Sequence, residues 1–176
     1  MTFTFTKLPE VHIVQGETLS DDRGSLEVAW HVDIFEAQGL AGRIAQVNCV
    51  INRRRGTLRG MHYQKPPFEE AKLVRPVRGA VFDVAVDMRP DSPRFRQWVG
   101  VELRAGQGRM LYIPPGFAHG YQTLSDDTEI IYVVSSVFSP SHQVGIRWDD
   151  PAIGIKWPLG TPSVIHQRDA SYADLA

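Results

Sequence analysis

Val81-Phe82-Asp83-Val84-Ala85-Val86-Asp87 is the stretch that decides the fold. Its β-branched and aromatic content favours an extended chain. Alternation puts Phe82, Val84 and Val86 on one face and Asp83 and Asp87 on the other. Working outward, similar segments recur: Leu26–Trp30, Arg43–Val50, Lys72–Val77, Gln97–Leu103, Arg109–Ile113, Tyr121–Leu124 and Glu129–Val134 read as strands. Turn chemistry separates them at Arg78-Gly79, Arg89-Pro90-Asp91-Ser92-Pro93, Ala105-Gly106-Gln107-Gly108, Pro114-Pro115-Gly116 and Ser125-Asp126-Asp127. Breaks at intervals of about 8–12 residues are those of a sandwich or barrel. Helical periodicity is weak; Val32–Gly39 is a candidate for one short helix, stopped by Gly39, and the last residues for another. The pattern predicts an all-β fold, an antiparallel jelly-roll barrel with a few short helices, able to hold a small ligand inside.

Composition agrees. A chain of 176 residues is the size of one domain, expected here to span 1–176, and is long enough to bury a core without staples. Nineteen Lys and Arg against twenty Asp and Glu leave a net charge of −1, so no sustained positive field draws nucleic acid or a membrane surface. Cys49 is the single cysteine, which excludes an internal disulfide and a thiolate metal cage. The N-terminus shows no basic region followed by a long apolar stretch, and no apolar run approaches the ~20 residues of a membrane span. A cytoplasmic protein is expected. The Arg53-Arg54-Arg55 run reads as a solvated loop, with guidance of an anionic ligand as a secondary reading.

Several common chemistries are missing. Gly106-Gln107-Gly108 sits between strands and lacks the third glycine of a dinucleotide loop, and there is no Gly-x-Ser-x-Gly elbow. None of His12, His31, His62, His119, His142 and His166 is separated from another by a single residue, the paired spacing usual in metal-binding barrels. Histidines distant in sequence can still converge, but a metal-free site is the better reading. Arg55-Gly56-Thr57-Leu58-Arg59-Gly60-Met61-His62-Tyr63-Gln64 sets Arg59 and His62 beside glycines in a stretch that otherwise reads as strand, where Gly marks a bend or a close approach. Ile113-Pro114-Pro115-Gly116-Phe117-Ala118-His119 puts a second histidine just after a rigid turn. Taken singly, each residue has a bland explanation: a surface Arg59, a satisfied His62, a half-exposed corner His119, an edge-strand Lys72, a core Tyr132, an Asp169 in a solvated tail. Together they form a set suited to proton transfer beside an anionic ligand.

These motifs resemble the dTDP-4-dehydrorhamnose 3,5-epimerase family. The likeness runs from about Gly16 to Asp169 and includes Asp21-Asp22-Arg23-Gly24, Gln46-Val47-Asn48, Arg55–Gln64, Lys72-Leu73-Val74-Arg75, Val81–Asp87, Ile113–Gly120 and Gly145–Pro151. It implies a metal-free, cofactor-free, cupin-type homodimer that epimerises C3 and/or C5 of a nucleotide-diphosphate-linked 4-keto-6-deoxy sugar. On that resemblance His62 is the base, Asp169 its orienting partner, Tyr132 the proton donor on the opposite face and Lys72 a group near the 4-keto oxygen. Arg23, arriving from the other subunit, and Arg59 match diphosphate-binding arginines. Gln46 and Asn48 match nucleotide contacts, His119 lies near the sugar, and Arg168 holds a usually basic position. Departures fall around the base, at Leu19, Val28, Val50 and Gln143, and around the sugar, at Val133, Val134 and Phe138. They leave the base, the sugar and the choice of carbon open. A 3,4-ketoisomerase of the same substrates, a non-catalytic sugar-nucleotide binding module and, last, a metal-dependent barrel oxygenase are the competing readings.

Overall fold

The computed structural model describes residues 1–175. Four strands open the chain: β1 (Thr2–Phe5), β2 (His12–Gln15), β3 (Glu17–Asp21) and β4 (Gly24–Val28), followed by helix α1 (Val32–Ala37). The middle holds β5 (Gln46–Asn52), β6 (Thr57–Gln64), β7 (Lys72–Arg78), β8 (Ala80–Asp87) and β9 (Trp98–Arg104). Then come β10 (Arg109–Ile113), β11 (Phe117–Thr123), β12 (Thr128–Val134), β13 (Gln143–Gly145), β14 (Val164–Ile165) and helix α2 (Gln167–Ala170). Two sheets carry the fold, in the orders β1-β2-β10-β7-β12-β5 and β13-β6-β11-β8-β9, while β3 and β4 form a separate hairpin. Crossovers between non-consecutive strands make this the expected jelly roll. Among the described residues all pairs are antiparallel except β14 on β6, a two-residue parallel pair.

Both faces of the decisive strand are covered. Val81 and Ala85 of β8 join Leu8, Val11, Val74, Leu111, Phe117 and Ile130 in the layer between the sheets. Val84 and Val86, on the other face, pack with Met61 under Ile146, Ile153, Ile155 and Trp157 of the C-terminal segment. Asp83 and Asp87 therefore face the interior and are fully buried, which is tolerable only because each has a cationic or imidazole partner. On the outer side of the other sheet, Phe35 of α1 packs with Val14, Leu73, Met110 and Tyr112.

The expected boundaries shift in instructive ways. Leu26–Trp30 is displaced to Gly24–Val28 because β4 is fixed by hairpin pairing with β3 (Leu19 opposite Leu26). Arg43–Val50 becomes Gln46–Asn52, set by its register on β12, where Asn48 lies opposite Tyr132. β11 begins four residues before the expected Tyr121, since the chain is extended again directly after the Pro114-Pro115-Gly116 turn. The helix over 32–39 ends at Ala37, with Gly39 at φ 70° just beyond it. The short strands β1, β2, β3, β13 and β14 have no sequence signal of their own; pairing to longer neighbours creates them.

Candidate active site

Between the two sheets lies a cavity of about 770 Å³. Strands β6 and β11 contribute Arg59, His62, His119 and Tyr121; Gln46, Asn48, Val50, Lys72 and Tyr132 come from β5, β7 and β12 of the other sheet. The volume suits a small-molecule site, for which about 300–1,000 Å³ is usual. On β5, alternation turns Gln46, Asn48 and Val50 inward and leaves Val47, Cys49 and Ile51 exposed. His62 and Tyr132 thus face one hollow from different sheets.

A close approach of β6 to β11 builds the first half of the site. Gly60 has φ 119°, and a Cβ there would lie 2.5 Å from Gly120 Cα and 2.8 Å from the His119 carbonyl oxygen. The register between the two strands slips at the same place, between His119 and Tyr121. The Gly60 N–H then donates to Asp169 Oδ2 at 3.2 Å, while His62 Nε2 meets Asp169 Oδ1 at 2.9 Å. Asp169 is 3% exposed, far from a solvated tail, and sits on α2, whose N-cap His166 accepts from the Arg168 N–H. Burial alone would raise the Asp169 carboxyl, but the His62 hydrogen bond and charge, the Gly60 N–H and Arg168 hold it below its ordinary value. With the carboxylate ionised, the proton of neutral His62 sits on Nε2, leaving Nδ1 to accept another.

A second imidazole–carboxylate pair lies beside the first. His119, cross-strand neighbour of His62, is buried and meets Asp83 Oδ1 through Nε2 at 2.6 Å. The half-exposed corner expected for His119 is thereby corrected: β8 covers it and supplies its partner. Lys72 is likewise no edge residue, since β7 lies between β10 and β12. Its Nζ is 3.1 Å from Glu70 Oε1 and donates to the His62 carbonyl oxygen at 3.3 Å. Burial pushes the Tyr132 phenol up, Glu70 adds to the rise, and Arg59 offsets part of it. Arg59 is aimed from behind: its Nε donates to Asn52 Oδ1 at 2.9 Å, and Tyr121 Oη shares that acceptor at 3.3 Å. This leaves the terminal guanidinium nitrogens for an anion.

Of the expected residues, His62, Tyr132, Asp169, Lys72, Gln46, Asn48, Arg59, His119, Phe138, Gln143 and Arg168 all line the cavity. Arg23 does not; it stands at the tip of the β3–β4 hairpin, paired with Asp21 and with its side chain 89% exposed. Among the substituted positions, Val50, Val134, Gln143 and Phe138 face the cavity, whereas Leu19 and Val28 lie on the hairpin and Val133 packs on the outer cluster around Phe35. Sequence reading missed Glu70, Asn52, Tyr121, Asp83 and Tyr172. Glu70 had a signal, since period-two spacing sets it on the same face as Lys72, whereas Asp83 had none, because only the pairing of β8 with β11 brings it to His119. Tyr172 had none: its ring rests over Gly145 and edge-on to His62. Among the described residues, no three His, Cys, Asp or Glu side chains gather as a metal site, and no helix is long and apolar enough to cross a membrane.

Known proteins share this sequence pattern and fold. The family model for dTDP-4-dehydrorhamnose 3,5-epimerase matches residues 5–176. The enzyme of that name from Sinorhizobium fredii is 41% identical over 175 residues, covering 99% of this chain and 90% of its own length. The crystal structure of the Bacillus anthracis dTDP-4-dehydrorhamnose 3,5-epimerase, with TDP and PPi bound, superposes with a TM-score of 0.93 at 34% identity, covering 99% of each chain. A Legionella pneumophila dTDP-6-deoxy-D-glucose-3,5-epimerase, in complex with dTDP-4-keto-L-rhamnose, gives 0.90 at 36% identity, covering 96% of this chain and 89% of its own. A likeness that spans nearly the whole chain in both sequence and fold settles the kinship: the chain belongs to the dTDP-4-dehydrorhamnose 3,5-epimerase family of isomerases.

Proposed function

We propose that this protein epimerises C3 and C5 of a dTDP-linked 4-keto-6-deoxyhexose, of the dTDP-4-dehydrorhamnose type. The observation that carries the reading is the His62–Asp169 pair facing the same cavity as Tyr132, which comes from the other sheet. The C4 ketone acidifies the neighbouring C–H bonds, yet they remain far weaker acids than an imidazolium of pKa ~6.5. His62 Nδ1 takes the proton, and Asp169 stabilises the imidazolium that results. Electrons from the broken C–H bond move to the carbonyl oxygen, giving an enolate that the Lys72 ammonium stabilises. Tyr132 returns a proton to carbon from the opposite face, inverting it. Arg59 holds the diphosphate; Gln46 and Asn48 contact the nucleotide, with Phe138, Gln143 and Arg168 at the same rim and His119 against the sugar hydroxyls. No electron leaves the substrate, so the chemistry calls for no redox cofactor.

The proposal includes a homodimer, one domain per chain, in the cytoplasm. Among the described residues the β3–β4 hairpin pairs with no other strand, and it exposes Leu19 and Leu26, while β5 exposes Val47 and Ile51 along a sheet edge. Two such apolar surfaces favour a second copy, whose Arg23 would reach the diphosphate. The exposed free thiol of Cys49 fits a reducing compartment. In deuterated buffer the enzyme is expected to wash deuterium into C3 and C5 of the substrate, followed by NMR with dTDP-, CDP-, GDP- and UDP-linked 4-keto sugars in parallel. No exchange at either carbon in any of them ends the reading, and migration of the carbonyl to C3 would make it a ketoisomerase.

A further inference from the structure

Glu70 stands two residues before Lys72, in the segment that leads into β7, and extended chain returns such side chains to the same face. Both side chains are almost wholly enclosed, 11% and 9% exposed, and both line the cavity. Resting on the epimerase reading above, we infer that Glu70 is a positioning residue of the reaction: its carboxylate fixes the Lys72 ammonium so that one N–H remains for the substrate's carbonyl oxygen. An ammonium has three donors. Glu70 Oε1 at 3.1 Å takes one and the His62 carbonyl oxygen at 3.3 Å a second, which leaves the third for the cavity.

The carboxylate is itself anchored. Glu70 Oε2 accepts from Gln64 Nε2 at 3.1 Å, and Gln64 is 2% exposed. The two N–H groups of Gln64 are shared among Glu70 and the Phe68 and Val137 carbonyls, and its Oε1 accepts the Ser139 N–H at 2.6 Å. Glu70 is therefore a fixed part of the wall rather than a mobile side chain that found a lysine. An unpaired carboxylate here would oppose the negative charge growing on the enolate oxygen. Paired to Lys72, its charge is neutralised and its geometry aims the cation. Besides Glu70 and Lys72, the charged or titratable groups that line the same cavity as Tyr132 are Arg59, His62 and Tyr63 from β6, His119 and Tyr121 from β11, and His166, Arg168 and Asp169 from the C-terminal segment. Glu70's charge adds to the burial that keeps this phenol protonated, so the residue also guards the proton donor.

Glu70→Gln keeps the shape and an acceptor for Lys72 and removes the charge. Its wash-in rate is expected to fall at least about tenfold, with KM changed less than about threefold. The near-ultraviolet titration of tyrosinate, run without substrate, should move to lower pH in Glu70→Gln and stay put when Tyr132 is already Phe. In a Lys72→Met background, Glu70→Gln should cost nothing further in wash-in, because the two act as one unit. Glu70→Asp, which keeps the charge but draws it back from Nζ, should lower wash-in and leave the titration in place. Wild-type wash-in in either charge-altered or shortened variant overturns the positioning role, and an unmoved titration in Glu70→Gln overturns the link to Tyr132. Both results leave the epimerase reading standing, since that is judged by wild-type exchange.

Discussion

At the scale of single residues, the proposed mechanism gives His62, Asp169 and Tyr132 separable duties. His62→Ala is expected to abolish deuterium exchange at both carbons. Tyr132→Phe should still exchange, because the base is intact, but fail to invert; a Tyr132→Phe enzyme with full epimerase activity would show that the proton donor lies elsewhere. Asp169→Asn keeps the shape but favours the wrong His62 tautomer, and a fall in kcat of about 10³–10⁴ is expected by analogy with the same change in a serine-protease triad. The pH dependence follows from the direction of each shift. Asp169 is held below its ordinary value of 3.8, so its stabilisation of the fold is complete above that value and is lost as pH falls through the lower, folded-state one. Urea unfolding across this range should show the wild-type advantage over Asp169→Asn shrinking on the acid side. Tyr132 is held above 10.0, so the basic limb of kcat should lie higher than that of an exposed phenol.

At the scale of elements, two glycines with the same handedness of φ make different demands. Gly60 (φ 119°) faces the backbone of β11, whereas Gly106 (φ 78°) has open space where a Cβ would stand. Gly106→Ala should cost only the backbone strain, about 1 kcal/mol, while Gly60→Ala adds a backbone clash and should exceed about 3 kcal/mol in chemical denaturation. Gly60→Ala should also lose activity beyond its loss of stability, because the Gly60 N–H and His62 share the Asp169 carboxylate. Equal costs at the two positions would show that the approach of β6 to β11 is not what demands glycine. Most strand interiors were legible in advance, since β-branched and aromatic residues concentrate in runs such as Val81–Asp87 and Glu129–Val134 and favour extended chain. Their ends were not, because register against a partner strand decides where extension begins and stops.

At the scale of the whole molecule, the question is whether one chain completes the site. Arg23 lies outside the cavity of its own chain, and the hairpin that carries it exposes Leu19 and Leu26 to solvent. Sedimentation should therefore report a dimer, and Leu19→Asp with Leu26→Asp should give a folded monomer with weakened substrate binding. In the intact dimer, Arg23→Ala should raise KM well before it lowers kcat, as expected for a group that grips the diphosphate in ground and transition states alike. A stable, fully active monomer would remove Arg23 from the site. The sequence by itself determined the all-β class, the absence of dinucleotide and serine-hydrolase motifs and, through several long motifs in order, the family and the candidate residues for proton transfer. The all-β class is a property of local alternation and turn chemistry along one chain, and the family rests on the resemblance of its motifs. Only the tertiary structure decided that Asp169 reaches back 107 positions to His62, that Asp83 sits behind His119, and that Glu70 faces inward beside Lys72. Such pairings are set by which strands lie side by side and by what closes over them, and neither is written within any one segment.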